Sequence, residues 1–484
     1  MKLSKILEKI NVIECSASLD TEISDICYDS RSAKAGCLFV AIEGFKSDGS
    51  SYIPAAMESG AVVVLCSRVP SVEVSYVLVS DTRLALAIAS QNFFENAASK
   101  LKLIGITGTN GKTSSALLMK HLLEECTDAK VGLIGTNGIL IGESEFPSER
   151  TTPESYELHK LFHQMVQEGC THVVMEVSSH SLVLSRVSGL RFALGIFTNL
   201  TQDHLDFHGT MEEYVAAKAI LFSNCDKAVI NVDDEYGGYM KEKALCPVMT
   251  YSAKTNDADL IAKDIKLMSD CVKFCVVTLG EISRVTIGIP GRFSVYNALG
   301  VIGGGMSLGI DMESCAKALV GARGVKGRLE TVDTDGEYTV IIDYAHTPDA
   351  LQNVLAAVRE TSAGRVVVVF GCGGDRDKTK RPVMGDIATQ MSDFSIITSD
   401  NPRSENPDEI ICDIIAGVKV KKSKYVTITD RVAAIKWAIE NHEKGDIIVL
   451  AGKGHETYQE IDNVKCHMDE REIVADIIEM RKNK

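Results

Sequence analysis

The sequence predicts an α/β protein built as three domains. Three observations predict it: a length of 484 residues, short apolar runs alternating with helix-like stretches, and a glycine-rich turn joining one such run to a helix near residue 110. At about 100–200 residues per domain the chain holds two to four domains. The pattern divides near residues 100 and 330, giving units 1–100, 101–330 and 331–484. With 45% apolar and 24% charged residues the composition is that of a globular protein. No apolar run approaches the ~18–20 residues of a membrane span. Residues 1–14 alternate charge with Leu and Ile and lack the apolar core of a signal peptide, so a cytoplasmic protein without membrane insertion is expected. A formal net charge of −15 argues against nucleic acid as a partner, which wants a basic surface. Fourteen cysteines are scattered without framework spacing, and Cys271 and Cys275 are the closest pair; free thiols are expected.

The first unit shows strand-like runs at 36–42, 61–66 and 76–79 and a helical segment over 83–97. This reads as a small α/β domain. Within it Asp29-Ser30-Arg31 marks a turn, and Phe45, Lys46 and Ser47 lie in the polar loop after the first of these runs.

The central unit opens on the apolar run Leu101, Leu103, Ile104 and Ile106, which predicts a buried strand. The chain then passes through Gly108, Thr109, Asn110 and Gly111 to Lys112, Thr113, Ser114 and a helix-like pattern with Leu117, Leu118 and Leu122. Strand, glycine turn, Lys-Thr and helix is the order a phosphate cradle needs: backbone N–H groups and the helix N-terminus meet the anion. Lys112 can reach the terminal phosphates and the Thr113 hydroxyl can bind Mg²⁺. Position 106 is Ile, so the full Gly-x4-Gly-Lys-Ser/Thr pattern is shortened to Gly-x2-Gly-Lys-Thr. Further strands are expected at 131–134, 172–177, 194–199 and 228–231, with helices between them. That alternation predicts a mostly parallel, P-loop ATPase-like sheet with its active loops at the carboxyl ends of strands. Glu176 ends one strand and suits Mg²⁺, which takes one or two carboxylates plus phosphates and water. The segment after another strand holds Asp203, His204, Asp206 and His208. It has no H-E-x-x-H and no Cys partner, which argues against zinc.

The third unit repeats the layout. Runs at 338–344, 365–370, 394–398 and 446–450 lead into loops containing His346, then Arg376, then Asp400, Asn401, Pro402 and Arg403, then Gly452 and Glu456. Four strands ending in charged or glycine-rich loops predict a Rossmann-like α/β domain with one cleft. The glycines at 371, 373 and 374 continue into charged residues rather than a G-x-x-G helix start, which argues against a dinucleotide.

The run TGTNGKT at 107–113 resembles the ATP loop of the Mur ligase and folylpolyglutamate synthetase superfamily. The segment around His204, the Lys218 context Tyr214-x3-Lys218-x2-Leu221-Phe222, and the turn 400–403 are similar to Mur ligase motifs in the same order. The resemblance spans nearly the whole chain. It implies an ATP- and Mg²⁺-dependent ligase, expected as a monomer, that adds meso-diaminopimelate to a UDP-N-acetylmuramoyl dipeptide. It implies Lys112, Glu176, His204 and Lys218 as catalytic residues, and a magnesium site of Thr113, Glu176, His204 and Lys218, the lysine carbamylated. Asn297 is implied near the adenine, Arg328 at a phosphate and Asp343 at the ribose. Ser30 and Phe45–Ser47 are implied for the UDP part. Thr151, Thr152, Ser178 and Arg186 are implied for the muramoyl peptide. Here Arg150 and Leu184 replace the family's usual Asn and Gln, so some substrate contacts are made differently. Arg376, Asp400, Asn401, Pro402, Arg403, Gly452 and Glu456 form the implied amino-acid pocket. Arg403 separates diaminopimelate from lysine, because only the former offers a distal carboxylate to a planar guanidinium. Two other readings remain at this point: a lysine-adding or folate-type ligase, opposed by Arg403 and the first domain, and a non-catalytic nucleotide-binding regulator, opposed by the crowding of motifs at strand ends.

Overall fold

The computed structural model describes residues 1–44, 48–142, 144–148, 150–268, 271–322, 324–332, 334, 336–361, 364–419 and 424–482. Three main sheets follow one another along the chain, each with buried side chains packed on both faces. The first has five strands. Val12–Cys15 runs antiparallel to Tyr76–Val79, and the remaining neighbours are parallel. The expected helix over 83–97 is observed as Thr82–Phe93, capped by the Asp81 carboxylate. It stops there because Glu95 and Asn96 adopt left-handed backbone at φ 52° and 49°, which ends a right-handed helix.

The eleven-stranded central sheet has Lys102–Thr107 deep in its interior, between His172–Glu176 and Leu194–Phe197. All three strands are parallel, with Glu176 opposite Ile106 and Phe197 opposite Thr107. Their carboxyl ends therefore lie level, and the loops that follow them share one edge. Such strands are near-continuous apolar runs because helices cover both faces. That is why they are legible. Additions at both edges lie outside the expected set, including Val248–Ser252, to which Leu260–Leu267 pairs in parallel before the sheet turns antiparallel. Gly138–Ile141 and Ser144–Phe146 extend one edge, and Leu260–Leu267, Val272–Val277 and Ile282–Ile287 extend the other.

The third sheet has six strands. Thr339–Asp343, Ile447–Ala451, Val366–Phe370 and Phe394–Ile397 are consecutive and parallel, so their four carboxyl-end loops meet on one edge. Beyond them Tyr458–Ile461 and Val464–His467 form a separate hairpin. The fourteen cysteines are thiols outside disulfides among the described residues. Among the described residues no helix is long and apolar enough to cross a membrane.

Candidate active site

The phosphate loop joins strand Lys102–Thr107 to helix Lys112–Cys126. Gly108 has φ 150°, and a Cβ on it would lie 1.9 Å from Thr198 Oγ1, so only glycine fits between this loop and the neighbouring strand end. Thr109 N and Asn110 N donate to Asn199 O and Oδ1, both at 2.9 Å. The Thr109 hydroxyl lies 3.1 Å from the Tyr214 hydroxyl. Lys112 Nζ folds back over the loop, donating to Gly108 O at 2.9 Å and Thr109 O at 2.8 Å. Desolvation holds its amine below the usual lysine range, and the charges of Glu176 and Asp203 oppose that shift. Thr113 and Ser114 are buried in the first helical turn.

Glu176 is buried at the end of its strand and takes three donors. Thr113 Oγ1 donates at 3.0 Å, Thr136 N at 2.8 Å and Thr136 Oγ1 at 3.1 Å. The Thr136 hydroxyl also lies 3.0 Å from the Thr151 hydroxyl. A carboxylate and hydroxyls facing a phosphate loop are the hard oxygen donors that Mg²⁺ prefers. Among the described residues no group of three or more His, Cys, Asp or Glu could hold a metal alone. The donor set therefore suits an ion shared between protein and substrate phosphates.

Lys218, on helix Met211–Ala219, is 1% exposed. Its Nζ donates to Gly108 O at 2.9 Å and lies 4.6 Å from the Tyr214 ring centroid. Among the described residues no carboxylate lies within 4.0 Å of it. Desolvation, with Lys112 adding to it and Asp203 opposing, holds this amine well below the usual lysine range. His204 occupies left-handed backbone at φ 55° and stands against His180, ring centroids 4.9 Å apart. Burial lowers its imidazole, opposed by Asp203, so it is neutral at pH 7.

The Thr151 hydroxyl meets Thr136, while the Thr152 hydroxyl bridges the Glu176 carbonyl and the next loop. Thr152 Oγ1 donates to Glu176 O at 2.8 Å and accepts from Ser178 N at 3.1 Å. Arg186 NH1 donates to Thr152 O at 3.0 Å and its NH2 pairs with Glu154 at 2.9 Å. Arg83 of the first domain and Arg150 approach the same Glu154 carboxylate at 3.7 and 3.9 Å. Glu154 thus gathers three guanidiniums that sequence reasoning treats separately. Leu184 closes the short helix Ser179–Val183 with its N–H on His180 O at 2.8 Å. Ser30 sits in the one-turn helix Ser30–Ser32, half-buried. Tyr28 and Asp25 beside it bond Glu157 at 2.9 Å and Tyr156 at 2.6 Å, which docks this turn on the helix that follows Thr152. Phe45, Lys46 and Ser47 lie outside the described residues.

Asn297 comes from helix Phe293–Ser307 to the phosphate loop, where a Cβ on Gly111 would lie 2.6 Å from its Oδ1. The Arg328 guanidinium stacks over the Tyr344 ring at 4.8 Å. Asp343 is buried and accepts from Leu329 N at 2.7 Å. Burial raises its carboxyl, opposed by Arg328.

In the third domain Gly374 joins two loops. Its N–H donates to Asn401 O at 2.9 Å, and a Cβ on it would lie 1.9 Å from Pro402 O. Arg403, at φ 53°, donates from Nε to Glu460 at 3.1 Å and from NH1 to Gly374 O at 2.7 Å. A guanidinium has five donors, so the tether leaves donors for a carboxylate. Arg376 is exposed, with NH1 on Asp375 O at 2.9 Å. Asp400 is buried with Oδ1 accepting from Asn401 N at 2.7 Å and Oδ2 unpartnered among the described residues. Gly452 N donates to Asp343 O at 2.9 Å. Glu456 accepts from Asn401 Nδ2 at 3.0 Å and from Lys453 Nζ.

Contacts between the second and third domains bring the two sets together. Asn110 of the phosphate loop donates to Asp349 at 2.8 Å. Gln202 donates to Asp377 at 3.4 Å and Thr379 at 3.0 Å, and buried Lys380 lies 3.9 Å from buried Asp203. Asp377 and Lys380 closely follow Gly374, whose carbonyl holds Arg403, so the central domain meets the third domain a few residues from the turn that carries Arg403. Sequence reasoning misses Thr136, Glu154, Lys380 and Lys453. Thr136 follows strand Val131–Gly135 at the shared edge, a signal that could have marked it.

Three family models match the chain in order. "Mur ligase family, catalytic domain" covers residues 22–104, "Mur ligase middle domain" 106–304 and "Mur ligase, glutamate ligase domain" 327–454. The chain is 49% identical over 482 residues to UDP-N-acetylmuramoyl-L-alanyl-D-glutamate–2,6-diaminopimelate ligase 1 of Clostridium acetobutylicum, covering 99% of each chain. It is 50% identical over 470 residues to the ligase of that name from Caldanaerobacter subterraneus subsp. tengcongensis, covering 96% of each. A solved structure of a UDP-N-acetylmuramoyl-L-alanyl-D-glutamate–2,6-diaminopimelate ligase superposes over the full length of both chains at a TM-score of 0.69 and 31% identity. With this kinship spanning all three sheets, the chain belongs to the Mur ligase family.

Proposed function

We propose that the chain is an ATP-dependent, ADP-forming ligase that joins meso-2,6-diaminopimelate to UDP-N-acetylmuramoyl-L-alanyl-D-glutamate in peptidoglycan precursor synthesis. The observation that carries this reading is the contact of the phosphate-loop domain with the third domain at Asp377, Thr379 and Lys380, a few residues after the Gly374 turn that holds Arg403. Relatives of that name, matched over nearly their whole length, support it.

In this reading Lys112 and the loop N–H groups hold the ATP phosphates, with Arg328 neutralising charge and Asn297 and Asp343 at the adenosine. Thr113, Glu176, His204 and Lys218 would hold Mg²⁺, which would supply positive charge to offset that of the phosphates. Lys218 takes part as a carbamate: its neutral amine adds to CO₂ and releases one proton, giving an anion. Its burial, with no carboxylate partner among the described residues, supports this, because desolvation favours the neutral, nucleophilic amine. Ser30 and residues 45–47 bind the uridine nucleotide. Thr151, Thr152, Ser178 and Arg186 bind the muramoyl dipeptide.

A carboxylate oxygen of the D-Glu side chain attacks the γ-phosphorus, the bond to the β-phosphate oxygen breaks, and ADP leaves. The diaminopimelate amine then attacks the carbonyl carbon of the acyl phosphate. It sheds a proton as the carbon–oxygen bond breaks and phosphate departs. The chain contributes mainly positioning and charge neutralisation.

The test is ADP release with the UDP-dipeptide and either diaminopimelate or lysine. Release with diaminopimelate is expected, and equal use of lysine would contradict the reading. Arg403→Ala is expected to weaken diaminopimelate recognition by roughly 1.5–3 kcal/mol, the scale of a charged hydrogen bond. Unchanged KM and kcat in that variant would remove Arg403 from the pocket.

A further inference from the structure

Lys453 lies in the loop after strand Ile447–Ala451 and is 0% exposed. Its Nζ donates to Asn401 Oδ1 at 2.8 Å and to Glu456 Oε2, and stands 4.9 Å from the Tyr458 ring centroid. Asn401 Nδ2 donates to the same Glu456 oxygen at 3.0 Å, so the three side chains close a hydrogen-bonded ring. Two consequences follow from donor and acceptor chemistry alone. The Asn401 amide cannot flip, because its oxygen already takes both Lys453 and Glu460 N, the latter at 2.9 Å. Glu456 is engaged mainly through Oε2, and among the described residues Oε1 meets only the long 3.3 Å bond from the Tyr344 hydroxyl.

The ring also reaches Arg403. Glu460, whose N–H is held by Asn401, grips Arg403 Nε through its carboxylate at 3.1 Å. This fully buried ammonium is thus bonded to Glu456, the pocket carboxylate that suits a substrate ammonium, and through Asn401 and Glu460 to Arg403, the guanidinium that suits a substrate carboxylate. Burying an ammonium is costly before pairing, and an apolar side chain would often serve the fold as well.

We infer that Lys453 is the positioning residue of the amino-acid pocket, orienting Asn401 and Glu456 so that Glu456 Oε1 and the Arg403 fork are offered at fixed places to a side chain ending in both an ammonium and a carboxylate. This rests on reading the pocket as a diaminopimelate site.

The experiment compares KM for diaminopimelate, ATP and the UDP-dipeptide in the full-length wild type, Lys453→Met, Glu456→Gln and the double variant. Lys453→Met is expected to raise KM for diaminopimelate about ten- to a hundredfold and leave the other two KM values unchanged. The double variant is expected to fall short of the product of the two single losses, since Lys453 acts in part through Glu456. If Lys453→Met melts below the assay temperature, the double variant, which leaves neither charge behind, supplies the comparison with Glu456→Gln. An unchanged KM for diaminopimelate, a parallel rise in all three KM values, or losses that multiply in the double variant would each overturn the inference. A wild type that turns over no diaminopimelate would instead refute the reading of the pocket, and the inference with it.

Discussion

Lys218→Met is expected to lower ligation turnover by about a hundredfold or more while leaving the melting temperature unchanged or raised. The two effects part company because of where the amine sits. It is buried, donates to Gly108 O at 2.9 Å and has no carboxylate within 4.0 Å among the described residues. An ammonium without a counter-ion is costly in the interior, and methionine fills a similar volume without that cost. A lysine kept only for packing would lose nothing in turnover. One that becomes a carbamate loses an anion at the phosphates. The check is steady-state turnover and thermal melting of both proteins, with and without added bicarbonate. Bicarbonate should stimulate the CO₂-depleted wild type and leave the variant untouched. Full turnover in Lys218→Met would remove the residue from the site.

Lys112→Met is expected to reduce ADP formation about a hundred- to a thousandfold, with binding of the UDP-dipeptide unaffected. In this structure Lys112 Nζ satisfies two loop carbonyls, Gly108 O and Thr109 O, in a site where burial disfavours its charge. Phosphate oxygens are better partners for an ammonium than carbonyls, so the side chain gains most when nucleotide is bound and charge moves to the γ-phosphate. Calorimetric titration of the UDP-dipeptide separates this loss from a general loosening. Weakened dipeptide binding together with slow ADP formation would contradict a role confined to the phosphates.

Much of the fold was legible because buried parallel strands are continuous apolar runs closed by glycine or charge. Tyr76–Val79 and Ala228–Asn231 coincide with the expected runs to the residue. The additions at 260–287 escaped for the opposite reason. Leu260–Leu267 mixes buried and exposed positions at a sheet edge, so neither an apolar run nor a motif marks it. The candidate site divides in the same way. Gly108–Thr113, Glu176 and the turn 400–403 are contiguous motifs with local chemistry. Lys380 acquires meaning only from its distant partner Asp203, and Thr136, marked by its place after a strand, shows its role only against Glu176. Glu154 looks like one more residue in a turn before helix Ser155–Gln167 until Arg83, Arg150 and Arg186 converge on it. Long-range pairing of charge is set by the tertiary fold and leaves no spacing to read.

The measurement closest to the central claim follows oxygen. With the D-Glu side-chain carboxylate of the UDP-dipeptide labelled in ¹⁸O, the account predicts that each ligation leaves one labelled oxygen in the released phosphate, carried there through the acyl phosphate. Released phosphate free of label, with ligation proceeding, would show that the γ-phosphoryl group never met that carboxylate and would contradict the account.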